Sequence, residues 1–277
     1  MFAPADRNKI YRTAVTLGVL TFMLIVWGGH VNTTRSGMAF PDWPTSNYAP
    51  MVTYAPSEWL WQGDRFWEHG HRLFASLVGM VTTLLVFFAY RATPKGERPT
   101  SVIIGFVGLV FVIVASAITG FNHMPTGVME AFMVALAAAF AGFLVKAARI
   151  RGDARILWLS LAAFAGVCLQ GAFGGYTVRN NLPDWTSTTH GMLAEIFLMT
   201  VIGVAYLVRR PSSVVHSRTT SNEQRTTSNE PRATSHELRA TNHRLIASLT
   251  WGVTFIQFFL GALTRHTDSW GVSVSFP

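Results

Sequence analysis

Within five residues, Glu68-His69-Gly70-His71-Arg72 sets a carboxylate, two imidazoles and a guanidinium at the start of a long apolar run. On an α-helix Glu68 and His71 are three residues apart and Glu68 and Arg72 four, so these share one face while His69 projects away. A neutral imidazole is a ligand for a metal or a haem iron, and a carboxylate one turn earlier can orient the ring or move a proton. His190, in Thr188-Thr189-His190-Gly191-Met192, opens a second apolar run in the same manner. Two histidines on different helices at one depth can flank a single haem. The alternative is that each caps its helix or binds interfacial water. Ionisable groups at the edge of a membrane span are costly and mark function by default, which favours the ligand role for His71 and His190.

Other polar groups carry less. His30 ends the first apolar run and His123 falls in a short loop, where interfacial solvation explains them. Glu130 and Glu195 lie in or near later runs and must be paired or protonated if they face lipid. Gly28-Gly29, Gly171 and Gly174-Gly175 let helices approach closely, a packing role before a chemical one.

The elements that must position these groups are membrane helices. Half of the 277 residues are hydrophobic and only 13% are charged, against roughly 25% in soluble domains. A bilayer span needs about 20 mostly apolar residues. Seven runs meet this, at 13–31, 71–90, 101–121, 128–145, 155–176, 190–208 and 245–264. The expected fold is an all-α, polytopic membrane helical bundle of seven transmembrane helices. The first run lies too far from the N-terminus for a signal peptide and lacks a small-residue cleavage site, so it is retained as a helix.

Alternate loops differ sharply in charge. One side holds 17 of the 22 Lys and Arg residues, and the other holds Arg35, Arg65, Arg72, Arg179 and Arg265. By the positive-inside rule the N-terminus is cytoplasmic and, with seven spans, the C-terminus outside, in the cell's inner membrane. The net charge of +8 is thus topology, and no basic soluble face argues for nucleic acid. A single cysteine, Cys168, excludes an intrachain disulfide and any zinc site of paired thiolates. The tryptophans of the outer loops read first as interfacial anchors.

Residues 1–208 form the bundle with the first six spans, and residues 245–277 the seventh span and an outer tail. Between them, 209–244 carries the seven-residue repeat RTTSNEQ, RTTSNEP, RATSHEL. From Arg218 on, the only large apolar residue in this repeat is Leu238, too little to offset ordering entropy, so a disordered cytoplasmic linker is expected. His216, His236 and His243 belong to it and are expected to be solvated.

The first span ends in Gly28-Gly29-His30 and continues through Thr34-Arg35-Ser36-Gly37-Met38 to Pro41-Asp42-Trp43-Pro44; the seventh ends in a weak copy, Gly261 to Val274, with similarly spaced Gly, Thr and Ser. Together with Glu68, His71-Arg72, the Gln170-Gly171-Ala172-Phe173-Gly174-Gly175 segment and Thr189-His190-Gly191, these stretches resemble the heme A synthase family. The family's membrane enzymes are built from two similar four-helix halves. The resemblance covers most of the chain outside the linker. It implies oxidation of the C8 methyl of heme O to the formyl of heme A, with His71 and His190 as the axial pair of the substrate haem iron. Glu68 would be the carboxylate needed in the oxidation, and Arg35, Arg72 or Arg179 would pair with the haem propionates.

It implies an electron donor as redox partner and a place beside the heme O-forming farnesyltransferase; a homo-oligomer is compatible with it. The family's cysteine pair is absent from the first outer loop, where Phe40 and Ser46 stand. The fourth run has no histidine to partner His71, so runs three and four are read as an extra hairpin and runs five and six as the family's third and fourth helices. The seventh span then begins an incomplete second half, without the usual ligand pair for a heme b. Two other functions fit the same residues: a b-type haem electron carrier, which needs the histidines but not Glu68, and an inactive fragment.

Overall fold

The computed structural model describes residues 2–119 and 126–209, without the side chains at 106, 110, 113–119 and 126. Six helices carry the chain: α1 (Pro4–Thr33), α2 (Asp64–Ala92), α3 (Thr100–Thr119), α4 (Thr126–Arg149), α5 (Ala154–Arg179) and α6 (Asp184–Arg209). Among the described residues α1, α2, α4, α5 and α6 are long and apolar enough to cross a membrane, so the protein is a multi-pass membrane protein. Helix α3 covers the third apolar run. The seventh run, the linker from 210 onward, His123 and Arg265 lie outside the described residues.

The helices outrun the apolar segments within them. Helix α1 starts at Pro4 rather than 13, α2 at Asp64 rather than 71, and α6 at Asp184 rather than 190. Hydropathy marks only the part suited to hydrocarbon, whereas the polar turns before it stay helical to keep their backbone groups paired. Proline suits the start of α1, where its missing N–H has no intrahelical role. As a result His71 and His190 lie seven and six residues inside their helices rather than at their first residues. At 1.5 Å per residue both sit about 10 Å from a helix start.

Helix α1 packs on α2 and α6, and α5 packs on the same two, so these four close a ring. Arg7 at the start of α1 donates to the carbonyl of Val208 at the end of α6, and Ser36 just past α1 donates to Asp64 at the start of α2. Neighbours around α1 are therefore antiparallel, and α2 and α6 stand diagonally opposite with their N-termini at one end. Helix α4 packs along α5 outside the ring. This is the arrangement expected if runs one, two, five and six make the four-helix set.

The apolar core fills the half of the ring away from the histidines: Ile10 and Leu17 of α1, Leu85 of α2, Leu157 of α5, and Val201 and Val204 of α6 are all fully buried. Against lipid such packing is driven by close van der Waals contact rather than by the hydrophobic effect. Outward faces carry exposed Phe22 and Val26 on α1, Met80 and Leu84 on α2, and Ile202 on α6, side chains that suit a hydrocarbon surround.

Candidate functional site

Toward the end where α2 and α6 begin, interior positions change from branched aliphatics to glycine and histidine. His71 lies against α1 at Gly28: a Cβ there would stand 3.0 Å from the ring's Cε1 and 3.7 Å from each nitrogen. His190 lies against α5 at Gly174 in the same way, 3.1 Å from Cε1, 3.6 Å from Nε2 and 3.8 Å from Nδ1. The two rings face the bundle interior from the diagonally opposed helices α2 and α6. Nδ1 of each is buried and has no hydrogen-bond partner. Gln170 of α5 reaches α6 at this level, its Nε2 donating to the carbonyl of His190 at 3.0 Å.

A loop of residues 34–63 covers this end, held from beneath by the segment that sequence singled out. Arg72 is buried, and its four η N–H groups are all used: Nη1 donates to the carbonyls of Asp42 and Thr45, both at 2.8 Å, and Nη2 to the carbonyl of Phe40 at 2.8 Å and to Glu68 Oε1 at 2.5 Å. Glu68 Oε2 accepts from the backbone N–H of Phe40 at 2.8 Å. Asp42 closes the next turn, its Oδ1 accepting from Asn47 N–H at 3.0 Å and its Oδ2 from Tyr48 N–H at 2.9 Å and from the Thr45 hydroxyl. Asn47 and Tyr48 both have positive φ, 52° and 62°, the backbone of a tight hairpin turn between β1 (Thr45–Ser46) and β2 (Ala49–Pro50).

His69 belongs to this loop rather than to the imidazole pair. It is fully buried, bonded through Nδ1 to Ser46 Oγ at 3.0 Å, with the Trp59 ring centroid 4.6 Å and the Tyr54 centroid 5.5 Å away. Its projection away from His71, expected from helical spacing, is what lets one residue clasp the loop while its neighbour but one faces α1. Trp43 from the loop lies over α5 at Gly175, where a Cβ would meet its ring at 2.2 Å. Leu182, between α5 and α6, fills the space beside Gly37. The loop thus touches both helix pairs that carry a histidine.

Among the described residues no group of three or more His, Cys, Asp or Glu converges as a metal site. Two imidazoles alone suffice for a haem iron, because the porphyrin supplies the other four ligands. Two buried, unpartnered imidazole nitrogens at one level of a membrane bundle suit such a group. A model of the cytochrome oxidase assembly protein family matches residues 11–121 and again 114–277. The chain belongs to this family, the heme A synthases. Membership gives it a role in cytochrome oxidase assembly through heme A synthesis. Searches of curated proteins and of solved structures gave no match.

Of the residues that the heme A synthase resemblance singles out, His71 and His190 come together in the bundle. Glu68 lies buried a turn from His71, with both oxygens engaged. Only the Nε of Arg72 remains for any contact beyond the loop and Glu68. Arg35 is exposed at the end of α1, in the left-handed backbone region at φ 57°. Arg179 ends α5, its Nη1 lying 3.7 Å from Met129 Sδ of α4. His30 is exposed and its ring meets Trp67 at a tilt of 59°, centroids 4.0 Å apart. Glu130 is exposed and accepts from the Tyr176 hydroxyl at 3.2 Å. Sequence reasoning missed the loop contacts of Asp42 and His69 and the ring contacts of Gly28 and Gly174; the Pro-Asp-Trp-Pro and Gly-Gly signals were present without a geometry to attach to them.

Proposed function

We propose that this chain oxidises the C8 methyl of heme O to the formyl group of heme A, with His71 and His190 as the axial pair of the substrate haem. One observation carries the proposal. Two imidazoles on diagonally opposed helices lie at one depth in the bundle, each with a buried nitrogen that no protein group satisfies. The haem, when bound, brings the redox-active iron that no side chain here provides. The chain's own part is to hold and orient it: the histidines fix the iron's position, and Arg35 and Arg179, at the ends of α1 and α5, suit the propionates as charge-assisted donors. Arg72 would join them only through Nε.

Glu68 would handle protons. Arg72 and the backbone N–H groups of Phe40 and Ala39 take three of the carboxylate's roughly four acceptor sites, so one is left to take up and release a proton. Methyl to formyl is a four-electron oxidation that also takes in one oxygen atom, so the proposal requires dioxygen as oxidant and oxygen source together with an electron donor; that donor and the farnesyltransferase that makes heme O are its partners. The histidine end would face outward and the basic end the cytoplasm. Residues 209–244 would be a cytoplasmic linker leading to a seventh span and an outer C-terminus.

The test is haem content and heme A formation in the full chain. His71→Ala and His190→Ala should each lose most bound haem; undiminished haem in both variants removes the basis of the proposal. A b-type electron carrier is the second reading, favoured by the structural work that Glu68 already does in clamping the loop. A carrier keeps its redox function when Glu68 is replaced, and the enzyme does not.

A further inference from the structure

We infer that Gly28 and Gly174 are positioning residues that set the rotation of His71 and His190. The inference rests on the haem-ligand role proposed for those histidines. A ligating imidazole is ordinarily held by a hydrogen bond from its second nitrogen to a carboxylate or carbonyl, which fixes tautomer and ring plane. Neither ring has that bond here: Nδ1 of each is buried without a partner and Nε2 of each has no hydrogen bond, so whichever nitrogen faces the iron, the other is not held. What constrains the rings is shape. In each case the Cε1 corner, between the two nitrogens, is seated against a neighbouring helix where there is no side chain. With that corner fixed, one nitrogen is turned to either side of it, and the direction of the ligand lone pair is set by contact rather than by a hydrogen bond.

The arrangement occurs twice. Gly28 stands five residues before the end of α1 and Gly174 five before the end of α5, so the two helix pairs present the same device at the same level. It is also specific to these positions. A Cβ at Gly29 or at Gly171, neighbouring positions on the same helices, would meet nothing within 4 Å. At Gly28 and Gly174 a Cβ would stand 3.0 and 3.1 Å from Cε1, inside the roughly 3.5–4.0 Å optimum for carbon pairs. An added methyl group must therefore push each ring off its seat by a few tenths of an ångström or rotate it. Either movement tilts the nitrogen that faces the iron.

Four single variants of the full chain test this: Gly28→Ala, Gly174→Ala, Gly29→Ala and Gly171→Ala, purified in detergent with haem. The readouts are haem per chain, haem dissociation, and the low-spin electron paramagnetic resonance signal, which reports the mutual orientation of axial imidazoles. Gly28→Ala and Gly174→Ala should weaken haem binding roughly tenfold, the lower end of what losing an orienting contact costs, or shift the low-spin signal at equal haem content. Gly29→Ala and Gly171→Ala should match the parent in both. Circular dichroism checks folding; if one variant of the pair unfolds, its counterpart at the other ring decides. Parental haem affinity and signal in the folded variants overturn the inference while leaving the ligand proposal intact. Retention of haem by His71→Ala and His190→Ala overturns both.

Discussion

Arg72 and Glu68 form an ion pair of 2.5 Å one helical turn apart, buried beneath a loop that both of them also hold. The pair could be taken as a local helix-surface contact, but exposed pairs of that spacing contribute only about 0.3–0.5 kcal/mol. Burial changes the magnitude. Arg72→Leu leaves an unpaired buried carboxylate and three loop carbonyls without their donor, a loss of about 3–5 kcal/mol by the usual cost of breaking a buried pair. Arg72→Lys should recover only part of it, because an ammonium offers three donors where the guanidinium places four. Thermal melts in detergent rank the three proteins; equal midpoints for Arg72→Leu and the parent contradict the clamp.

Glu68→Gln separates chemistry from architecture. The amide keeps one acceptor for the Phe40 N–H but turns a donor toward Arg72, so some loop stability goes with the charge. The expected outcome is haem content near the parent's with heme A formation down by at least tenfold, in line with the usual contribution of a proton-transferring group. Arg72→Lys is the matching control, since it loosens the same loop with the carboxylate in place. If both variants lose activity equally, Glu68 acts through the loop and not through a proton.

Gly175→Ala should be far more damaging than Gly171→Ala on the same helix. A Cβ at Gly175 would fall 2.2 Å from the Trp43 ring, whereas at Gly171 it meets open space. The indole must leave its seat on α5, and overpacking of this kind costs about 1–3 kcal/mol. Because Trp43 holds the loop over the histidine end, limited proteolysis between residues 43 and 63 should speed up in Gly175→Ala alone. Unchanged cleavage there would place the loop's anchorage elsewhere.

At the opposite end, Asp153 gathers the start of α1. It accepts from the Phe2 N–H at 2.5 Å and from Arg7, which also donates to the Val208 carbonyl at 2.7 Å and so links α1, α5 and α6. Arg7 and Asp153 keep 20% and 13% of their side-chain exposure, so partial screening limits the loss in Asp153→Ala to roughly 1–2 kcal/mol. The loss should shrink further at high salt. A salt-independent loss of the same size would mean that packing rather than charge is what Asp153 provides.

Hydropathy made the spans legible because a bilayer imposes one strong requirement, and the histidine pair was legible because charge-bearing groups are rare at span edges. The direction of each face was not. Helices such as α1 and α5 are apolar nearly all round, so periodicity cannot say that Gly28 and Gly174 point at imidazoles. Arg72 shows the other limit: its pairing with Glu68 follows from helical spacing, but its other partners are backbone carbonyls of Phe40, Asp42 and Thr45, which become neighbours only when the loop folds back. His69 was separable from His71 by helical angle alone, but its bond to Ser46 depends on a hairpin turn with positive φ at Asn47 and Tyr48, and Tyr is a residue type that does not announce it.

Gln170 offers a sharper test of what the bundle interior holds. Its Nε2 donates to the His190 carbonyl at 3.0 Å, while its Oε1 is buried without a partner. The carbonyl lies within α6 and keeps its helical bond, so losing the Gln170 donor costs only about 0.5–1.5 kcal/mol. Removing the unsatisfied Oε1 returns about 1–3 kcal/mol by the same accounting. Gln170→Leu, close in volume, should therefore leave stability within about 1 kcal/mol of the parent or raise it. Thr188 Oγ1, also buried and unpartnered, gives a second case in Thr188→Val. Large destabilisation by Gln170→Leu, or loss of haem with the helices intact, would show that Oε1 has a partner in the working protein, a bound water or a group on the substrate, and would move Gln170 from the scaffold into the binding site.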